Sequence, residues 1–489
     1  MTGATAKSQG DASAKPNGSN TSTRPPIRFF LSFTFAVIIG LSIQKMIPAF
    51  DVALSCHAKH LCSGSFVSNR PLNTIDIGVE CNPIVKWITS AEVLHEEKEV
   101  RSSMLFGLFT QTAKFLGPYR GCALKGKADI GPEPLRHRKQ LEDESAPWPV
   151  GNSVDLSRDG DQQELAIAID NAVENYKQGN WSTRELVVVQ DGKIVYEYYA
   201  PGFNAKTALL GWSMSKTLVA SLVGVRIGEG AFDLKTPVSK WFPEWKADNR
   251  SHITIDDLLT MQSGLQWLEG YSIGNGEVIP MLFNDDSCSE RPRKAQPAFP
   301  AGTRFSYASG TSNLLSEIFR ASIKYDEAYW TYPARMLFEP IGATSLVLET
   351  DRVGTFNAAA FSYGSARDWA RVGLLFANDG VWVDGKRIIP EGWIKYATTP
   401  RSSSHGIYGA HFWLGGADVS VKEMEYDVHL QDHAKSSVQL QKGTFTMTGF
   451  AGQFVSVIPE KKAVIVRLAH DSSRRHYGEL ISKITSVLP

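Results

Sequence analysis

The sequence lacks net charge: 51 lysines and arginines are matched by 51 aspartates and glutamates over 489 residues. That balance gives neither the basic footprint of a nucleic-acid binder nor a strongly anionic surface, so no nucleic-acid partner is expected. Cysteine is scarce, five in all, with no C-x-x-C pair and no spacing that suits zinc. His405, His411, His429, His433 and His470 also lack metal-ligand spacing, so surface or loop roles are expected for them and no cofactor is implied. There are no internal repeats, which sets aside solenoids and propellers. Long apolar runs are missing too, with one exception, Phe29 to Ile43.

Fifteen helical residues span only about 22 Å, short of a hydrocarbon core of about 30 Å. Extended over 27–50, the segment reaches membrane length, with Arg28 and Lys45 snorkelling at its ends. Residues 1–26 have the Ser, Thr, Asn, Gly and Pro content of a disordered polar tail. That long lead, and the want of a small-x-small site after the run, favour an uncleaved signal anchor over a removed signal peptide. Arg24 and Arg28 before the run keep the tail cytoplasmic and place the rest on the exported side, whether periplasmic, extracellular or lumenal.

Four cysteines, Cys56, Cys62, Cys81 and Cys122, cluster in the first quarter, and Cys288 stands alone. Buried free thiols and one or two disulfides in an oxidising compartment are both compatible with that placement. Residues 51–125 read as a small β-rich unit, and the charged, Pro-containing, aperiodic stretch 126–155 reads as a linker. The main domain is expected over 156–489. Apolar spacing predicts a helix over Glu164–Tyr176 and another over Tyr477–Val487. Leu186–Val189 and Ile194–Tyr198 flank an Asp-Gly turn, and Phe454–Ile458 and Val464–Leu468 flank a Pro-Glu-Lys-Lys turn. Strands at both ends of the domain with helices between them indicate an α+β class: an antiparallel sheet flanked by helices, plus a helical subdomain.

The first chemical signal is Ser213-Met-Ser-Lys216, with Gly211 just ahead and an apolar helical run after it. Residues i and i+3 share a helix face, so Ser213 and Lys216 can point into one pocket. A serine hydroxyl needs a base beside it to attack a carbonyl. Lysine can be that base only if burial holds it well below its ordinary value of about 10.4, and Trp212, Met214 and Leu218 suit a dry pocket. The tetrapeptide alone is near chance, because Ser42 and Lys45 repeat it inside the apolar run. Ser215 faces away from Ser213 and is expected to be structural. Cys288, in a polar loop, has no His motif to make it a catalytic thiol.

Further motifs follow in order: Phe299-Pro-Ala-Gly-Thr-Arg-Phe-Ser-Tyr307-Ala-Ser309-Gly, Ser365-Ala-Arg-Asp-Trp-Ala-Arg, and Gly449-Phe450-Ala451-Gly452-Gln453. Together with Ser213 and Lys216 they resemble the serine β-lactamase and penicillin-binding superfamily over residues 160–487. Class C β-lactamases, carboxylesterases of that fold and 6-aminohexanoate-dimer hydrolases are the branch most alike. The resemblance implies a β-lactamase/transpeptidase-like fold, Ser213 as nucleophile, Lys216 as base and Tyr307 as proton relay. It implies an oxyanion hole from the backbone N–H groups of Ser213 and Gln453, with Ser309, Phe450 and Gly452 against the substrate; Trp267, read from its own aromatic stretch, either lines the pocket or packs in the core. Two departures bear on specificity. Ser309 stands where the family has Asn, and Phe450 where it has Lys or His. Residues 62–67 and Gly121-Cys122 resemble the exported extension of some members, which makes Cys62–Cys122 the expected disulfide.

The expected activity is that of a serine hydrolase forming an acyl-enzyme with a small or short oligomeric ester or linear amide. A catalytically silent binding module of the same fold, and a true β-lactamase or DD-peptidase, are the alternatives.

Overall fold

The computed structural model describes residues 46–126, 138–155, 160–177, 182–272, 274–419, 428–471 and 477–489. The chain divides into two units, Met1–Pro48 and Ala49–Pro489, and the elements of the fold belong to the second. The polar tail expected over 1–26 lies outside the described residues, as does the anchor expected over 27–50 except for its last five positions. Among the described residues no helix is long and apolar enough to cross a membrane.

The second unit opens helically through residue 62, then makes a π-turn, Ser63–Val67. A four-stranded antiparallel sheet follows in the order β1 (Ser90–Leu94), β2 (Glu99–Met104), β3 (Phe109–Phe115), β4 (Cys122–Leu124). Residues 51–125, expected as a β-rich unit, are thus helical in their first part. Nor do they fold apart from the rest: Cys56, Cys62, Val100 and Cys122 share one buried cluster with Met281, Phe283, Phe361 and Tyr363. Two disulfides close within this region, Cys56–Cys81 and Cys62–Cys122.

The main sheet has six antiparallel strands, built from both ends of the domain: β5 (Thr183–Gln190), β6 (Lys193–Tyr199), β10 (Trp413–Leu414), β11 (Phe445–Gly449), β12 (Gln453–Ile458) and β13 (Ala463–Ala469), in the order β10-β11-β12-β13-β5-β6. A small sheet of β7 (Leu209–Leu210), β9 (Ser362–Gly364) and β8 (Val347–Leu348) lies beside the nucleophile segment. The central strands are apolar at nearly every position because both faces are covered. Leu186, Val188, Phe454 and Ile465 face the terminal helices Asp161–Val173 and Tyr477–Val487, while Val187, Val189, Val455 and Val464 face the main core with Trp369 and Val372 of the helix Ala366–Ala377. The α+β class and antiparallel sheet expected from the sequence describe this architecture.

The stretch 138–155 is not a free linker. Trp148 is buried in the main core, Arg371 donates to Pro149 O at 2.9 Å, and Arg138 donates to Leu346 O at 2.6 Å. Its polar composition hid this role: it supplies acceptors to the buried guanidinium of Arg371 and contributes a buried guanidinium of its own, Arg138.

The N-terminal helix is locked in by a buried ion pair. Lys59 Nζ contacts Glu349 Oε2, and Glu349 also accepts from Ser63 Oγ at 2.9 Å and Cys122 N at 2.7 Å. Burial pushes the Lys59 ammonium below its ordinary value, against the pull of Glu349. Removing one partner of such a pair leaves a buried charge uncompensated. Lys59→Met is therefore expected to destabilise the fold by about 3–5 kcal/mol in denaturant unfolding. Adding Glu349→Gln should recover part of that loss, and a fully additive double mutant would show that the pair is not coupled.

Candidate active site

Gly211-Trp212-Ser213 makes the turn from β7 into the helix Met214–Gly228. Gly211 donates to Ser362 O at 2.7 Å, and any Cβ on it would meet Trp369 at 2.6 Å. Trp212 sits in the left-handed region at φ 50, a strained position for a bulky residue. Its ring is held between His60 of the N-terminal helix (5.5 Å between centroids), Phe361 (6.4 Å) and Phe450 (5.5 Å). The turn presents Ser213 as the N-cap of the helix, with its side chain making no capping bond. In this first turn Met214, Ser215 and Lys216 donate their N–H groups to Gly211, Trp212 and Ser213. The amide of Ser213 itself is not used by that turn.

Lys216 is 2% exposed. Its Nζ donates to Ser213 Oγ at 2.9 Å, Ser309 Oγ at 3.0 Å and Ala359 O at 2.9 Å. Burial pushes this ammonium down to about 8, opposed by the negative charge of Glu269. Tyr307 hydrogen-bonds Ser213, and its ring lies 5.1 Å from Lys216 Nζ. Burial and the Glu269 charge raise its phenol well above the usual range, so it stays protonated. Ser213, Lys216 and Tyr307, distant in sequence, thus converge on one oxygen atom. A neutral Lys216 can take the Ser213 proton while its two remaining hydrogens point at Ser309 and Ala359, and a neutral Tyr307 can donate.

The carbonyl of Ala359 is fixed by its neighbours. Asn357 Oδ1 accepts from Ala359 N at 3.0 Å and Ala360 N at 3.1 Å, and Asn313 Oδ1 accepts from Ala358 N at 2.9 Å. A backbone carbonyl has no side-chain signature, so nothing in the sequence pointed to it. Ser215 faces the other way, bonded to Trp212 O at 2.7 Å and Ser362 Oγ at 2.7 Å.

Three expectations need correction. Ser309 does not face substrate: it is 2% exposed, and its one proton goes to Glu269 Oε1 at 2.5 Å while its oxygen accepts from Lys216. Gly452 is also structural. It sits at φ 87, and a Cβ there would strike the buried Arg467–Asp471 pair at 2.5 and 2.2 Å. Gln453 begins β12, with its side chain closed on Ala469 N and O, both at 2.8 Å. Between β11 and β12, Phe450–Gly452 form a single turn through Ala451 at φ 59. That turn leaves Gly449 as the residue abutting the nucleophile segment, so close that a Cβ would lie 2.2 Å from Gly211 O. Phe450 follows directly, 41% exposed, its ring against Trp212 and 6.0 Å from Tyr271.

Glu269 had no assigned role in the sequence. It accepts from Ser309 N (2.8 Å), Ser309 Oγ, Trp267 Nε1 (2.6 Å) and Tyr271 OH (2.9 Å). The signal that could have found it is the Ser309 departure: the hydroxyl still accepts from Lys216, but its own proton then calls for an acceptor. His411 is buried as well, and not on the surface: it bonds Leu259 O at 2.7 Å and Ser312 Oγ at 2.9 Å, and burial lowers it to about 4. Trp267, Glu269, Tyr271, Phe299, Phe305 and Tyr307 line a cavity of about 650 Å³ beside the serine, within the size range of small-ligand sites. Cys56, His60 and Cys81 lie within 4.8 Å of one another, but the two sulfurs are joined to each other and offer no thiolate to a metal.

A family model described as Beta-lactamase matches residues 169–482. The 6-aminohexanoate-dimer hydrolase of Paenarthrobacter ureafaciens is 26% identical over 330 residues, covering 62% of this chain and 76% of that protein. Among solved structures, a mutant class C beta-lactamase aligns with a TM-score of 0.51 at 18% identity, over 68% of this chain and 99% of its own. A family VIII carboxylesterase gives 0.51 at 18%, over 66% and 98%. These likenesses to structures speak for the fold.

Reaction through a lysine base requires that base to be neutral, and the neutral fraction grows with pH. The acid limb of kcat/KM should therefore fall about tenfold per pH unit below a midpoint near pH 8. Glu269→Gln removes the charge that favours the ammonium, so the midpoint should move to lower pH. A midpoint that stays put or rises would show that Glu269 does not act on Lys216.

Proposed function

The chain belongs to the beta-lactamase family, and from that premise we propose that it is a serine hydrolase that opens an ester or linear amide through an acyl-enzyme on Ser213. The observation that carries this reading is the buried Lys216 Nζ, 2.9 Å from Ser213 Oγ and pushed down to about 8. Ser213 Oγ attacks the carbonyl carbon as its proton passes to Lys216. The oxygen that becomes negative is received by the backbone N–H of Ser213 and that of Phe450, whose neighbour Gly449 abuts Gly211. Tyr307, a phenol held protonated, gives its proton to the leaving oxygen or nitrogen as the carbonyl re-forms and the C–O or C–N bond breaks, and is re-protonated from Lys216. Water then repeats the sequence on the acyl ester and frees Ser213.

Ester or linear amide substrates suit this site better than β-lactams. Phe450 follows strand β11 in the turn after Gly449, not on the strand where the family's Lys or His was expected, and its ring makes an apolar wall with Trp212 and Tyr271 that offers a substrate carboxylate no cation. The substrate class is that of the 6-aminohexanoate-dimer hydrolase and carboxylesterase relatives rather than that of the lactamases. The two disulfides suit an oxidising compartment, and support a chain held by residues 27–50 with its hydrolase domain exported.

Ser213→Ala should abolish hydrolysis of a p-nitrophenyl acyl ester and labelling by a fluorophosphonate, with wild-type activity on a chromogenic cephalosporin weak or nil. Undiminished ester turnover in the mutant would remove Ser213 from the mechanism.

A further inference from the structure

One end of the four-stranded sheet is explained neither by the fold nor by the chemistry at Ser213. The β2–β3 hairpin turns through Leu105-Phe106-Gly107-Leu108, with Leu105 at φ 50 and Phe106 at φ 58. Left-handed turn positions favour Gly, Asn or Asp, and water favours polar side chains there. Yet Phe106 is fully exposed and Leu108 is 80% exposed. Backbone strain and apolar exposure both work against this choice, and among the described residues side chains this exposed gain little packing to offset them.

The neighbouring surface has the same character. The helix Pro83–Ile88 ends two residues before Ser90, which pairs with Ser103 at the turn end of β2. That helix exposes Trp87 (85%) and Ile84 (57%), with the exposed Lys86 between them. A protruding aromatic and aliphatic tip with tryptophan and lysine beside it has the composition of a surface seated at a lipid–water boundary. The charged turn of the same sheet, Glu96-Glu97-Lys98, lies at the other end, about 20 Å away by strand rise.

The N-terminal chain enters at the apolar end. Phe50 packs edge-on against Phe109 at 5.5 Å, and Phe109 pairs with Met104 across the mouth of the turn. The run Phe29–Ile43 ends seven residues before Phe50, a reach of at most about 25 Å fully extended. Hydrocarbon solvating that run would lie within reach of the hairpin tip, which is why lipid is the occupant and not a second copy of the chain.

We propose that the tip Leu105–Leu108, with Trp87, inserts into the headgroup region of the bilayer and seats the hydrolase on the membrane surface. This rests on the reading of residues 27–50 as an anchor. The contact fixes which end of the unit faces lipid, a constraint that a single tether does not supply.

The test uses the full chain carrying Phe106→Cys labelled with an environment-sensitive nitrobenzoxadiazole dye, with Glu96→Cys as the control at the opposite end of the sheet. Trp87→Cys gives an independent second position on the patch. Vesicles of phosphatidylcholine with a minority of phosphatidylglycerol are added, with or without nitroxide on the acyl chains. The expected result is that dye at 106 and at 87 shifts to shorter wavelength and is quenched by nitroxide, while dye at 96 does neither. A chain that floats with vesicles while dye at 106 and 87 stays unshifted overturns the proposal and leaves the anchor standing. A chain that does not float overturns both. Dye already shifted before vesicles are added, and untouched by nitroxide, shows the patch covered by protein and also overturns it.

Discussion

The structure depends on keeping one ammonium group dry. Lys216 is buried, so its charge is tolerable only where acceptors are fixed around it, and its proton is mobile only because burial weakens its hold. Three acceptors meet it, and each comes from a different part of the chain: Ser213 Oγ from its own helix, Ser309 Oγ from the start of the helix Ser309–Ala321, and Ala359 O from the segment before β9. None of these would stay in place alone. Asn313, one turn along from Ser309, holds the peptide of Ala358, so the helix that supplies one acceptor also aligns the carbonyl that supplies another. The site is a joint between elements and not a feature of any one of them.

The N-terminal extension enters this joint from behind. His60 lies against Trp212, the strained residue preceding the nucleophile, and against Phe361, two residues after Ala359. Lys59 stands over the same Phe361 ring at 4.2 Å while paired with Glu349. Residues 49–62 thus brace both the turn that presents Ser213 and the segment that presents Ala359 O. Disulfides at Cys56 and Cys62 tie that brace to Cys81 and Cys122. The extension therefore belongs to the support of the site, although no residue of it contacts Lys216 Nζ or Ser213 Oγ among the described groups.

What could be read from the sequence follows from where the information lay. The paired strands around Asp191-Gly192 and Pro459-Glu460 announced themselves through turn chemistry and continuous apolar runs, and the helix Tyr477–Val487 through its spacing. Ser213, Lys216 and Tyr307 were legible because side-chain identity carries their chemistry. Ala359 O was not, since any residue has a carbonyl. Gln453 was placed by counting along a motif, but a left-handed Ala451 inserts a turn that counting cannot see. The stretch 138–155 misled for a related reason: a polar, aperiodic segment reads as a linker whether or not buried arginines consume its carbonyls.

Ser309, which departs from the family pattern, and the aromatic Phe450 in the turn after Gly449 separate what the site keeps from what it changes. An asparagine beside the lysine offers both an acceptor and donors, so it can hold the base and reach a substrate at once. Serine offers one proton, and Glu269 takes it; the lysine side of the bargain is kept and the substrate side is dropped. Glu269 is then fixed by Trp267 and Tyr271, whose rings form part of the cavity wall. The carboxylate that takes the Ser309 proton is thus also what positions the aromatic wall of the cavity. Phe450 extends that surface from the turn between β11 and β12, toward Tyr271. Loss of polar contacts and gain of an aromatic enclosure are therefore one change in construction. It leaves the groups around Ser213 Oγ intact and, on the proposed function, would give recognition to shape and apolar area in place of charge.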